Sequence, residues 1–170
     1  MKKNNLAGII VGIIAGALVV SIVSIALFVN IKRASIKIET IGSLHFASDT
    51  MNDDVSSNWK EYDLWYTGDD YLVTCTRTFG GKEAKIRLSA EKVNPLIAKL
   101  NEYKIGTWDG FDRSDADSGY YEGFSFSLVA NNNTVNISAN GSGRYPKNYR
   151  QIRDAIDDVF EECISEIDKK

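Results

Sequence analysis

The chain reads as an α+β protein: an N-terminal transmembrane helix, then an antiparallel sheet with two helices packed on one face. Three observations predict this. Leu6 to Val29 is a run of 24 residues without a charge. Short segments in which apolar residues alternate with polar ones recur beyond it, separated by Gly, Asn and Asp. Two segments switch to helical spacing, each after a group of alternating ones, a pattern that favours helices segregated to one side of an antiparallel sheet.

The apolar run would form a helix of about 36 Å against a hydrocarbon core of about 30 Å, enough to span with some tilt. Lys2 and Lys3 precede it, and Lys32 and Arg33 close it. It exceeds the 7–15 apolar residues usual for a cleaved signal peptide, and no lipid-accepting cysteine lies near it. The expectation is an uncleaved anchor over residues 1–33 and one domain over residues 34–170. The basic residues on the two sides nearly balance, Lys2 and Lys3 before against Lys32, Arg33 and Lys37 after, a count that taken alone leans slightly towards a cytoplasmic domain. The short basic tail before the run has the form of a signal anchor, which puts the domain outside the cytoplasm at the plasma membrane. Gly8, Gly12 and Gly16 stack on one helix face, where small residues let two backbones approach. That face suits a helix–helix contact with a second copy or another membrane protein; small residues are also simply common in such helices.

In the domain, Ile36 and Ile38 alternate with polar neighbours and predict a first strand over Ser35–Ile41, with Ala47–Asn58 a polar loop. Tyr62, Leu64 and Tyr66 then share a strand face, Gly68-Asp69-Asp70 turns the chain, Tyr71–Phe79 returns, and Gly80-Gly81 turns it again. In the next strand Ala84, Ile86 and Leu88 face inward. Val93, Leu96, Ile97, Leu100 and Tyr103 recur at helical spacing after Ser89, a plausible cap, with Gly106 as the terminator. Pro95 should lie in the first turn of that helix, where its missing N–H costs nothing. An acidic loop follows. Phe124, Phe126 and Leu128 alternate with Ser125 and Ser127, Asn131–Asn133 turns the chain, and Val135, Ile137 and Ala139 return. The last helix carries Ile152, Ile156, Val159, Phe160, Cys163, Ile164 and Ile167 as an apolar stripe.

All 23 acidic residues lie beyond Arg33 and four of the 20 basic ones lie at or before it, which leaves the domain at −7. Such a charge disfavours nucleic acid as a partner. Catalytic signatures are absent. There is one histidine, His45, with neither cysteine near it in sequence and no GxSxG, and its strand context favours a structural role. No zinc-type Cys/His spacing and no phosphate-cradling glycine loop occur. The expectation is a binding or interaction domain, not an enzyme, and without a cofactor.

Three places are candidate sites. Asp109, Asp112, Asp115, Asp117 and Glu122 crowd one loop with oxygen ligands that suit calcium, although the EF-hand spacing fails. The last helix begins basic, with Arg144, Lys147, Arg150 and Arg153, and continues acidic, which opposes its dipole. Either the acidic loop folds over that start, helped by Arg150–Asp154 and Arg153–Asp157 pairs, or an outside anion binds there beside Tyr145 and Tyr149. Trp65 points away from the Tyr62–Leu64 face. It marks a surface for a protein or glycan if that side is open, and is core if something covers it.

Trp108-Asp109-Gly110-Phe111, Phe124-Ser125-Phe126-Ser127-Leu128, Ile137-Ser138-Ala139-Asn140-Gly141 and Tyr145-Pro146-Lys147-Asn148-Tyr149 occur in that order. This pattern resembles the C-terminal part of uncharacterised lipoproteins and membrane-anchored surface proteins of Gram-positive bacteria. The resemblance implies a surface-held domain and brings no catalytic residue; with no lipid-bearing cysteine, the apolar helix would be the anchor. The alternative is an accessory subunit of a membrane complex assembled through the glycine face. Cys75 and Cys163 both fall on core faces. A disulfide between them would contribute about 4 kcal/mol in the chain-entropy model, whereas the resemblance implies buried free thiols.

Overall fold

The computed structural model describes residues 3–51, 57–77, 81–115 and 122–169. Helix α1 (Lys3–Ala34) carries the apolar run, and its 17–34 segment is long and apolar enough to cross a membrane. Leu18 to Ile31 expose large apolar side chains around the helix.

Among the described residues seven strands follow: β1 (Ile41–Met51), β2 (Ser57–Tyr66), β3 (Asp70–Arg77), β4 (Glu83–Ser89), β5 (Phe111–Ser114), β6 (Glu122–Ala130) and β7 (Val135–Ser142). They form one sheet in the order β4-β3-β2-β1-β6-β7-β5, antiparallel throughout except for the parallel β7–β5 pair. Helices α2 (Ala90–Glu102) and α3 (Tyr149–Asp168) lie on one face. The fold is therefore the α+β architecture the alternation predicts.

The core sits between that face and the two helices. Leu44 and Phe46, Tyr62 and Leu64, Val73 and Cys75, and Phe126 and Leu128 meet Val93, Leu96 and Leu100 of α2 and Ile152, Ile156, Phe160 and Cys163 of α3. Phe160 stacks on Tyr62 at 4.6 Å. Trp108, in a 3-10 turn over Ile105–Trp108, is fully buried. It stacks on Tyr149, meets Phe126 edge-on at 5.3 Å, and its indole N–H donates to the Lys147 carbonyl at 3.0 Å, so the polar end of a large apolar group is satisfied. Cys75 and Cys163 stand side by side here as buried free thiols. The hydrogen bond between them and the loss of water hold the Cys75 thiol well above its ordinary range.

Several expectations need correction. The first strand is Ile41–Met51, not Ser35–Ile41, and it runs into the start of the stretch read as loop, over residues 47–51. Residues 35–40 are a linker clamped by two asparagines. Asn101 accepts from the Ile38 N–H and donates to the Ile38 carbonyl, both at 2.7 Å. Asn131 accepts from the Glu39 N–H at 2.8 Å and donates to the Lys37 carbonyl at 2.7 Å. The alternation of Ile36 and Ile38 is real, but side-chain amides serve the backbone there in place of a neighbouring strand. Helix α2 begins five residues before Pro95, so the proline falls beyond the first turn. Ser89 occupies the cap position without a side-chain capping bond.

Gly106 does not end α2, which stops at Glu102. It lies in the 3-10 turn, where an added Cβ would stand 2.2 Å from the Arg33 carbonyl oxygen. Its missing side chain lets the end of α1 dock, and Arg33 completes the junction with an ion pair to Asp109 at 3.1 Å. The Gly80-Gly81 turn falls partly outside the described residues.

Candidate functional site

Because side chains alternate along a strand, filling one sheet face with core leaves a second set on the other. No helix among the described residues covers that second face. The strand pairings arrange it in rows. The central row runs Lys85, Thr74, Asp63, His45, Ser127, Ser138 from β4 to β7. On one side of it lies the row Arg87, Leu72, Trp65, Ser43, Val129, Asn136; on the other lies Glu83, Thr76, Glu61, Ala47, Ser125, Asn140. Along β2 alone the open face reads Trp59, Glu61, Asp63, Trp65, two carboxylates between two indoles. Trp65 is 42% exposed, so the reading in which something covers it does not hold among the described residues.

His45 sits at the middle of this face on the central strand. Its Nδ1 lies 2.9 Å from an Asp63 carboxylate oxygen, and its Nε2 lies 3.5 Å from the Ser125 hydroxyl. The hydrogen bond to Asp63 raises the imidazole pKa above its ordinary value; partial burial opposes this, and the charges of Asp63 and Glu61 add to it. One ligand atom each from His45, Glu61 and Asp63 lie within 4.8 Å of one another. Sequence reasoning missed this group because it treats His45 alone. The usable signal was that a strand through His45 antiparallel to β2 sets it opposite Asp63.

The start of α3 is compensated from within. Arg153 pairs with Glu122 at 3.3 Å, the Tyr149 hydroxyl donates to the same carboxylate at 2.9 Å, and Arg144 pairs with Asp115 at 3.2 Å. Burial, with the Glu122 charge beside it, keeps the Tyr149 phenol well above its ordinary pKa, so it remains a donor. The helical pairs differ from expectation. Arg153 reaches its neighbour Asp154, while Asp157 pairs with Lys60 of β2. Lys147 and Arg150 form no ion pair among the described residues, and Arg150 lines a shallow cleft of about 420 Å³ with Tyr145 and Tyr149.

The calcium candidates do not converge among the described residues. Asp109, Asp115 and Glu122 each face an arginine, Asp112 is exposed on β5, and Asp117 lies outside the described residues. Gly8, Gly12 and Gly16 fall within α1. A larger cavity, about 650 Å³, opens at the linker end of the sheet between Glu39, Thr40, Tyr66, Tyr71, Asn94 and Asn133.

No protein-family model, curated protein or solved structure matches the chain.

Proposed function

We propose that this chain is a single-pass protein of the plasma membrane whose α+β domain, held outside the cytoplasm, binds a protein partner through the open face of its sheet and carries out no catalysis itself. The observation that carries this reading is the uncovered face with Trp65 at its edge. Both helices are spent on the other side, and an exposed tryptophan on a rigid, flat surface is a favoured anchor for protein contacts. The apolar helix supports the membrane address. The junction of Arg33, Gly106 and Asp109 supports a domain fixed to that helix and not loosely tethered. The short basic tail before the apolar run, in the form of a signal anchor, supports the extracytoplasmic side. An accessory subunit joined through Gly8, Gly12 and Gly16 is the second reading, resting on their spacing along one helix face.

Two measurements test it. Ser127→Cys on the open face should react with a membrane-impermeant maleimide on intact cells; labelling only after lysis would reverse the orientation. A photoreactive residue in place of Trp65 should yield one discrete adduct in living cells, and the same group in place of the exposed Lys99 on α2 should not. Equal adducts from both positions, or none from 65, would reject the open face as the contact surface.

A further inference from the structure

We infer that His45, Glu61 and Asp63 form a binding site for one zinc-class divalent metal ion at the centre of the open face. The inference goes beyond the binding role and does not depend on it.

Four observations carry it. The first is convergence. An imidazole nitrogen and two carboxylate oxygens from adjacent central strands lie within 4.8 Å of each other. Zinc held at about 2.0–2.2 Å by nitrogen and oxygen sets its ligands roughly 3.3–3.6 Å apart, so rotation about the side-chain bonds of Glu61 and Asp63 closes the set without moving backbone. The second is charge. Glu61 and Asp63 are two residues apart on the same face, and among the described residues neither pairs with a lysine or arginine. Their cross-strand neighbours are Thr76 and Ala47 for Glu61, and Thr74 and His45 for Asp63. Elsewhere in the domain, Asp109, Asp115, Glu122 and Asp157 each have a cationic partner. Two adjacent carboxylates with only an imidazole between them leave a negative centre that a divalent cation neutralises.

The third observation is orientation. Ser125 lies 3.5 Å from Nε2 on the far side of the ring from Asp63. With Nδ1 on the metal, Nε2–H donates to the Ser125 oxygen, the outer contact that fixes the tautomer of a ligating histidine. The fourth is the donor set. One imidazole with two carboxylates suits zinc and its neighbours, whereas calcium and magnesium favour oxygen alone. Three protein ligands on an open face leave a coordination position toward solvent, available to a side chain of whatever binds beside Trp65. The Ser125–His45–Asp63 line also has the order of a nucleophile, a base and its orienting acid. On β1 and β6 the residues around this line are paired with neighbouring strands on both sides.

The test uses the full-length chain in detergent micelles, stripped with a chelator and equilibrated with Zn²⁺. Elemental analysis after dialysis should find one zinc per chain, and zinc should raise the melting temperature. His45→Gln and Asp63→Asn should each abolish retention. Ser125→Ala should weaken it roughly tenfold, and Asp109→Asn, at the α1 junction, should leave it unchanged. Co²⁺ in place of zinc should give a d–d absorption spectrum that His45→Gln abolishes. If His45→Gln does not fold, Glu61→Gln at the half-buried neighbouring position gives the same readout. Zinc absent after dialysis, or retained equally by His45→Gln and Glu61→Gln, overturns the site. Either result leaves the adduct at position 65 untouched, so the metal site and the binding face fail separately.

Discussion

On β6, Phe124, Phe126 and Leu128 enter the core, while Ser125 and Ser127 lie between them on the other side. On β2, Tyr62 and Leu64 are buried, while Glu61, Asp63 and Trp65 face outward. The same strands thus carry two chemistries, and the contrast separates what holds the molecule together from what it can do. The helix-covered face is hydrocarbon, aromatic ring and thiol, closed by the Trp108–Tyr149 stack. The open face is mostly polar, with hydroxyls, amides, carboxylates, the His45 imidazole and the cations Lys85 and Arg87, and tryptophan at its edge. Burial on the first side carries the stability, which frees the second side to hold residues that add little to it.

The contrast makes graded predictions, each measured as a shift in the urea unfolding of the full-length chain in micelles. Trp108→Ala should cost about 3–5 kcal/mol, since it empties the centre of the covered face and strips the Lys147 carbonyl of its donor. Asn101→Ala should cost about 1–3 kcal/mol by leaving both backbone groups of Ile38 unpaired. Gly106→Ala should fall in a similar range, about 1–3 kcal/mol, because its Cβ collides with the Arg33 carbonyl and must push the end of α1 away. Trp65→Ala should change stability by about 0.5 kcal/mol or less while removing partner contact. A cost for Trp65→Ala close to that for Trp108→Ala would mean the open face is packed in the native protein, and the distinction between the faces would collapse. Gly12→Ile with Gly16→Ile should leave the unfolding of the domain unchanged and lower any association read by crosslinking.

Legibility in the sequence follows the same division. Strands β4, β6 and β7 and helix α3 could be read because their covered residues repeat at clean periods of two or near 3.6. Strand β1 could not. Its inward residues Leu44, Phe46 and Ser48 are broken by a serine, and its outward residues Ser43, His45 and Asp49 look like loop composition. The apolar pair Ile36 and Ile38 just upstream gave a better alternation for a segment whose backbone is in fact bound by asparagines. Losing β1 also lost the His45–Asp63 pairing, because register is a long-range property that no local window contains. The acidic loop misled in the opposite sense. Its carboxylates are dense in sequence, but Asp109, Asp115 and Glu122 each answer a different arginine from elsewhere in the chain. Charge density alone does not show where a charge is spent. Glu61 and Asp63, which converge on His45 and pair with no lysine or arginine among the described residues, sit in an unremarkable stretch of β2.

The six residues between α1 and β1 leave no hinge. Asn101 and Asn131 grip the backbone from Lys37 to Thr40, and Arg33 is held a few residues earlier. Twisting the greasy rod about its long axis therefore turns the whole sheet with it, as a key turns with its shaft. A ligand seated on the sheet and a neighbour gripping the rod would each feel the other through that stiff coupling.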